Sequence, residues 1–233
     1  MPAEFTIEGK TKTMNPFSQQ FINILYRIPV LLISLTVHEL AHGFVSYRLG
    51  DPTAKMAGRL TLNPIKHLDP IGSLLLLTVG FGWAKAVPFD PKYYKNKRVG
   101  IMLTCFAGPL SNILLAIVFA VVFVFYGRTI SWYSMTDFQY VIYRLLSEFL
   151  IPINIMLAAL NLIPIPPLDG SKVLFPLLPG HFYFKYIMPY ERYGMFVILV
   201  LSYLGILSII MSPIVNVLYS IILNIINLIE GIL

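Results

Sequence analysis

Long apolar stretches separated by short polar ones run through the chain. Three of them carry no charged side chain and reach the roughly 17 to 25 residues that a helix needs to cross a bilayer; they are residues 99–126, 193–211 and 213–229. A fourth, 16–49, contains Pro29, which predicts either one kinked helix or a short helix followed by a span at about 29–49. A fifth, 148–163, ends at a cluster of prolines. The pattern predicts an all-α polytopic membrane protein with five to six transmembrane helices.

The region between residues 51 and 98 has a different pattern, rich in Gly, Pro and basic residues. Its apolar stretch at 71–81 is too short to cross a bilayer, so we expect a re-entrant or interfacial element there. The segments 58–62 and 83–89 place β-type residues between Gly and Pro, which predicts short strands. The sequence therefore predicts a small membrane-associated β-sheet or re-entrant element between the first span and the span at 99–126.

Polar residues and prolines predict the remaining connections. We expect a polar, aromatic loop at 127–147 and a tight turn at Ser212-Pro213 between the last two spans. Residues 1–15 form a polar tail without the basic and apolar regions of a signal peptide, and the sequence leaves open whether residues 1–13 belong to the native chain.

Composition supports the membrane interpretation. Hydrophobic residues make up 57% of the chain and charged residues 12%, whereas a soluble domain has about 25% charged residues. The net charge of +6 is typical of cytosolic loops rich in Lys and Arg and does not require nucleic-acid binding. Cys105 is the one cysteine, which excludes an intrachain disulfide and a zinc site built from cysteines.

The distribution of basic residues predicts the orientation. The loops at 51–98 and 170–192 lie on one side of the membrane and carry most of the Lys and Arg, whereas the loop at 127–147 on the other side carries Arg128 and Arg144. Positive residues accumulate on the cytosolic side. We therefore expect an integral protein of the cytoplasmic (inner) membrane with the loops at 51–98 and 170–192 in the cytosol.

The strongest chemical signal is the pentapeptide His38-Glu39-Leu40-Ala41-His42 in the first apolar stretch. Residues i and i+4 share one face of a helix, so both imidazoles can bind one zinc ion. Glu39 lies one step round the helix, where its carboxylate can act as general base toward an attacking water. A chance match of a short pattern is the alternative, but three ionisable groups at membrane depth are costly and favour a functional site.

A catalytic zinc usually has three protein ligands, so one more is required. Asp169 follows the proline cluster at the end of its span, and His42 lies about 10 Å along its helix from Leu49, on the same side. Glu148 lies at the opposite end of the span, and His67 is the main competitor. Asp-Gly as a simple turn pair is the alternative for Asp169. The full set of candidates is Asp169, His67, His181, Glu148 and Glu191.

Together these motifs resemble those of the site-2 protease family of intramembrane metalloproteases. The resemblance rests on residues 38–42, on the segment 161–170 (NLIPIPPLDG) and on the segment 107–112 (AGPLSN), and it extends over about residues 29–180. It implies that the zinc ligands are His38, His42 and Asp169, that Glu39 is the catalytic base, and that Asn161 lies near the substrate backbone or the oxyanion. It also implies a minimal form of the family, without PDZ or CBS domains.

The resemblance implies a single transmembrane metalloprotease domain at 16–233, with a catalytic core at about 29–180 and extra C-terminal spans at 193–230. Its function would be hydrolysis of peptide bonds in or near transmembrane segments, with one Zn²⁺ per chain, as in regulated intramembrane proteolysis. The expected partners are a single-span membrane-protein substrate and the bilayer, with no nucleic acid. A substrate helix must unwind before cleavage, and the strands predicted in 58–89 would offer it an edge.

Several alternatives stay open at this level. The Asn161 amide is either an oxyanion donor or a helix-packing group. Asn112 is more typical of helix packing, and Gly108 of close helix approach. For the whole chain, a membrane metal transporter would explain buried His and Asp but not Glu39 between two ligands, and an inactive relative would not need the intact motif.

Overall fold

The computed structural model describes residues 16–72, 82–131, 133–174, 177–178 and 193–232. Eight α-helices are described within these ranges, and we number them in chain order. They are α1 (Pro16–Arg48), α2 (Thr53–Met56), α3 (Lys97–Arg128), α4 (Asp137–Arg144), α5 (Ile151–Leu162), α6 (Asp169–Leu174), α7 (Gly194–Tyr203) and α8 (Ile206–Ile232). Short 3₁₀ turns lie at Pro64–His67 and Pro91–Tyr93, and a π-helical segment, Leu145–Leu150, joins α4 to α5.

Four helices among the described residues are long and apolar enough to cross a membrane. They are Gln20–Arg48, Lys97–Arg128, Asp137–Leu162 and Ile206–Ile232. The apolar helix α7 has 10 residues, about 15 Å of rise, which is half the thickness of a bilayer core. The mostly helical membrane protein expected from the sequence is confirmed, whereas the count of five to six spans is not.

The first apolar stretch forms one helix rather than two. Pro29 lies inside α1, where it removes one backbone donor without ending the helix. The same helix carries the residues predicted to bind metal. Its polar buried side chains Ser34, His38 and Ser46 recur at helical spacing.

Helix α3 lies at the centre of the fold, because it packs against α1, α5 and α8. Small residues of α3 and α5, namely Ala116, Ala120, Ala158 and Ala159, are fully buried in the apolar cluster that these two helices form with α8. Small side chains let apolar helices approach closely in a bilayer. Ile155, Ile198 and Met211 fill the remaining space of this cluster.

The predicted sheet between α1 and α3 is not confirmed. The prediction of a strand at 58–62 is wrong, because the chain turns there: Gly58 has a φ of 64°, and the Arg59 amide donates to the Ala54 carbonyl at 2.9 Å. The segment 83–89 forms no strand either, although it contains one antiparallel bridge, Leu68 to Ala84. Most of the predicted re-entrant stretch at 71–81 lies outside the described residues, as does the tail at 1–15.

The loop predicted at 127–147 is too long, because the third membrane-length helix begins at Asp137. A capping box begins this helix. The backbone amide of Gln139 donates to the Thr136 hydroxyl, and the backbone amide of Thr136 donates to the Gln139 side-chain oxygen. Arg144 is buried, but its guanidinium pairs with Glu148 at 2.7 Å. A basic, aromatic segment can therefore continue the helix toward the membrane.

The predicted turn at Ser212-Pro213 is also wrong, since α8 runs through both residues. Pro213 cannot donate to the Ile209 carbonyl, but the Ser212 hydroxyl donates to that carbonyl at 3.0 Å and replaces the missing bond. The turn lies earlier, between α7 and α8, at Gly205, whose φ of 72° is in the left-handed region that glycine favours.

Candidate active site

Two histidines of α1 and the first residue of α6 meet in the interior of the fold. His38 and His42 are both buried, and their Nε2 atoms lie 3.1 Å apart. Asp169 Oδ2 lies 3.0 Å from His38 Nε2 and 3.2 Å from His42 Nε2. Over the ranges that the structure describes, these are the side chains of His, Cys, Asp or Glu that converge in a group of three.

The other candidates for the third ligand do not join this group where they are described. His67 is buried, and its Nε2 lies 2.9 Å from the Thr61 carbonyl oxygen. Glu148 pairs with Arg144. His181 and Glu191 lie outside the described residues. The geometry therefore favours Asp169 as the partner of the two histidines.

Helix α3 contacts the Nδ1 atoms of both imidazoles, on the side away from Asp169. His42 Nδ1 lies 2.7 Å from the Thr104 carbonyl oxygen, which can only accept, so the hydrogen-bond network places the proton of His42 on Nδ1. His38 Nδ1 lies 2.6 Å from Asn112 Oδ1. In its neutral form, each ring then keeps a lone pair on Nε2, the atom that faces Asp169.

The convergent atoms fit a zinc ion. When both imidazoles are neutral, their two Nε2 lone pairs and the carboxylate oxygen repel one another at 3.0–3.2 Å. A cation among them makes all three atoms into ligands. In a tetrahedral site with bonds of about 2.0–2.1 Å, the ligand atoms lie roughly 3.3 Å apart. Both the donor types and their spacing therefore match zinc.

Gly108 of α3 provides the room for this arrangement. A Cβ added there would overlap the imidazoles of His42 and His38. The close approach expected from Gly108 in the sequence is confirmed, and this helix contact brings His38 and His42 against α3. Any larger side chain would displace one of the rings.

Glu39 is buried beside the histidines and is held from outside α1. Its Oε2 accepts a hydrogen bond of 2.8 Å from the Val87 amide. The sequence indicated no role for Val87, because a backbone amide leaves no signature in side-chain patterns. This bond holds the extended segment 83–89 next to Glu39, the residue predicted to be the general base.

Asn161 is occupied within its own helix. Its Nδ2 donates to the Leu157 carbonyl at 3.0 Å, one turn earlier in α5. No described contact joins it to the group of His38, His42 and Asp169. The role of Asn161 as an oxyanion donor stays a prediction.

A second buried polar network, which sequence reasoning missed, anchors the loops beside the site. The Tyr94 hydroxyl contacts the Thr104 hydroxyl at 3.0 Å and the Ser46 hydroxyl at 2.8 Å. Ser46 donates to Asp51 Oδ2 at 2.8 Å, and the Asp90 amide donates to the same atom at 2.7 Å. The network ties the end of α1 and the loop before α3 to Thr104, whose carbonyl orients His42.

Asp51 is fully buried in this network. Burial raises the pKa of its carboxyl, but hydrogen bonds from Thr53, from the Asp90 amide and from Ser46 outweigh that effect, so the pKa lies below its ordinary value of 3.8. Asp51 is therefore a charged anchor of the loops at neutral pH. In the sequence, Asp51 stands between Gly50 and Pro52, a pattern typical of the end of a helix and not of a buried anchor.

Apolar helices of membrane length around a buried His-Glu-x-x-His pair and a carboxylate define a membrane metalloprotease. The model of peptidase family M50 matches residues 26–143 and 129–204, and the chain belongs to this family, the site-2 proteases, which are zinc metalloproteases.

Curated relatives agree with this assignment. The chain is 40% identical over 194 residues to "Putative zinc metalloprotease YwhC" of Bacillus subtilis, covering 82% of this chain and 86% of that protein. It is 29% identical over 194 residues to "Putative zinc metalloprotease Rip2" of Mycolicibacterium smegmatis, covering 81% and 70%. It is 27% identical over 180 residues to "Zinc metalloprotease MJ0392" of Methanocaldococcus jannaschii, covering 77% and 42%. No solved structure matches the chain significantly.

Proposed function

We propose that this membrane metalloprotease cleaves its substrates within the bilayer, with one Zn²⁺ held by His38, His42 and Asp169. The observation that carries the proposal is the depth of the site. Both histidines lie inside the membrane-length helix Gln20–Arg48, and His42 is about 9 Å of helical rise from its end at Arg48. A protease centre at that depth is suited to peptide bonds in or near a transmembrane segment.

The proposed chemistry divides among the chain's own residues. Zinc, when bound, polarises the scissile carbonyl and makes water acidic enough to attack at neutral pH. Glu39 takes the proton from the attacking water and passes it to the leaving amide nitrogen. Because the Val87 amide holds Glu39 Oε2, we assign this transfer to Oε1. Asn161 would donate to the oxyanion after exchanging its bond to the Leu157 carbonyl.

The extended segment 83–89 is the proposed docking edge for an unwound substrate. The Lys85 amide donates inward to the His67 carbonyl, and the Val87 amide donates inward to Glu39. Backbone groups alternate in direction along an extended chain, so those of Ala84 and Ala86 face the other way. A substrate strand added at this edge would bring its backbone beside Glu39.

A proline scan tests this edge. Replacing Ala86 by Pro removes one amide that faces outward, and we expect slower cleavage than with Ala86→Ser, which keeps the amide. Cleavage rates on one substrate measure the difference. Equal rates for the two variants would remove the segment 83–89 from the substrate path.

The charge pattern supports a proposal for the orientation. Basic residues concentrate in the loops at 51–98 and 170–192, which supports an active site toward the cytosolic side of the cytoplasmic membrane. We propose a single-span membrane protein as the substrate, cleaved in regulated intramembrane proteolysis. A single span can unwind at one end without disturbing a bundle of its own.

The deciding experiment is cleavage by purified protein in detergent, on a panel of single-span substrates, with bound zinc measured in the same samples. We expect the wild type to cut, and Glu39→Gln to keep zinc while losing about 10²–10⁴-fold in rate, as expected for a lost general base. If Glu39→Gln cut as fast as the wild type, the proposed mechanism would fail. Metal transport into vesicles that survives Glu39→Gln would instead support a transporter.

A further inference from the structure

A chain of buried amides leads from the metal-site histidine His38 across α3 to α5. Asn112 and Asn154 are both fully buried, and Asn112 Nδ2 lies 2.9 Å from Asn154 Oδ1. Neither residue belongs to the ligand set. Two amides fully removed from water between apolar helices are costly unless they are paired, so their pairing needs an account beyond packing.

The direction of every hydrogen bond in this chain is set at its far end. Asn154 Nδ2 lies 2.8 Å from the Leu150 carbonyl oxygen, and a carbonyl can only accept. The Asn154 amide is therefore oriented with its NH₂ toward Leu150 and its Oδ1 toward Asn112. That orientation makes Asn154 an acceptor for Asn112.

The orientation of the Asn112 side-chain amide is fixed in the same way. Its Nδ2 faces two acceptors, Asn154 Oδ1 and the Ser34 carbonyl oxygen at 3.4 Å. Its Oδ1 must then face His38 Nδ1, at 2.6 Å. An oxygen at that position requires the proton of His38 to be on Nδ1 and leaves the Nε2 lone pair toward Asp169.

We propose that Asn154 is a positioning residue of the metal centre, which acts through Asn112 to hold His38 in the tautomer that binds metal. Without Asn154, Ser34 alone opposes a flip of the Asn112 amide, and a flipped amide turns its NH₂ toward His38 Nδ1. The imidazole then carries its proton on Nε2, where it blocks the metal. His42 has no need of such a relay, because a backbone carbonyl orients it directly.

The inference rests on the proposed zinc site and is tested by zinc affinity rather than by cleavage. Apo protein in detergent is titrated with zinc against a chelating dye. We expect Asn154→Ala to weaken zinc binding about 10-fold, at the low end for groups that orient a ligand, and Asn112→Ala to weaken it more. Asn154→Leu, which keeps the number and branching of the side-chain heavy atoms and leaves no cavity, guards against misfolding and is expected to weaken binding similarly. Asn216→Ala, an exposed position on α8, is the matched control and is expected to bind as the wild type does.

A double substitution separates positioning from general packing. A carboxylate at position 112 accepts through either oxygen and needs no orientation, so Asn112→Asp is expected to retain tight zinc binding. In that background Asn154→Ala should weaken binding less than twofold. If Asn154→Ala leaves zinc affinity unchanged in the wild-type background, or weakens it equally in both backgrounds, Asn154 does not position His38 through Asn112. If the wild type itself binds no zinc, the proposed function fails as well.

Discussion

The two halves of α3 use opposite means to hold helices together. The N-terminal half buries Thr104, Gly108 and Asn112 against α1, and each takes part in holding the histidines. The C-terminal half buries Ala116 and Ala120 in an apolar cluster with α5 and α8. One continuous helix thus carries both a polar interface and a dry one.

The difference shows where function is concentrated in the fold. In an apolar solvent, small side chains already allow close packing, so the polar groups of the first half are not needed for association alone. The Thr104 carbonyl bonds to His42, and the Asn112 side chain bonds to His38. The polar half therefore serves the site, and the apolar half supplies the scaffold that keeps α3 and α5 in register.

The largest loss of zinc binding and cleavage is expected from removing Asp169, the proposed third ligand. For Asp169→Ala we expect cleavage to fall to background and zinc affinity to drop by more than the ~100-fold typical of outer-sphere changes, because the carboxylate that faces both Nε2 atoms is gone. Zinc content after desalting measures the effect. Full zinc occupancy in this variant would remove Asp169 from the ligand set.

A single added methyl group should distinguish the site from the rest of the same helix. Gly108→Ala places a Cβ against the imidazoles of His42 and His38, and we expect about 10- to 100-fold weaker zinc binding and a matching loss of cleavage. Gly127→Ala is the matched control, because nothing lies within 4 Å of a Cβ there. It should be neutral or stabilise α3 by up to ~1 kcal/mol. Equal zinc affinity in the two variants would contradict the assigned geometry.

Overpacking the apolar half should affect stability and leave the metal site intact. Ala120 is fully buried, so Ala120→Leu should destabilise the protein by about 1–3 kcal/mol while zinc binding per folded chain is retained. Unfolding in mixed micelles measures the first and zinc titration the second. Val118→Leu, at a position 54% exposed, should change stability little. A loss of zinc affinity in Ala120→Leu alone would show that the halves are not separable.

The smallest effect is expected from pH acting on the loop anchor Asp51. Its folded pKa lies below the ordinary 3.8, so its charge stabilises the fold fully above about pH 5, and that contribution is lost as the pH falls through the folded pKa. The difference in unfolding free energy between the wild type and Asp51→Asn should be constant at neutral pH and shrink below about pH 4. A difference that grew on acidification would have the wrong sign.

Much of the site could be predicted from sequence because its chemistry is local. The spacing of His38 and His42 on a helix is fixed by the helical period. Its depth relative to His42 favoured Asp169 over the other candidates, and the family resemblance implied it as the third ligand. Val87, Thr104 and Asn154 could not be predicted, because each acts across contacts between distant parts of the chain.

The wrong predictions about the fold have physical causes in single residues. The Ser212 hydroxyl replaces the bond that Pro213 cannot make, so a proline that indicated a turn lies inside α8. Glu148 neutralises Arg144, so a charged segment that indicated a loop is helical. In the segment 83–89, the amide of Val87 bonds to Glu39 instead of to a neighbouring strand. In each case a side-chain contact satisfies a polar group that the sequence pattern left without a partner.

The central claim is that two imidazoles and one carboxylate hold a zinc ion inside the membrane helices. X-ray absorption at the zinc edge of the purified wild-type protein tests it most directly. We predict one zinc per chain with only nitrogen and oxygen ligands at about 2.0–2.1 Å and the outer-shell scattering of two imidazoles, reduced to one in His42→Ala if any zinc remains. A wild-type spectrum with no imidazole scattering, or with a sulfur ligand, would contradict the account.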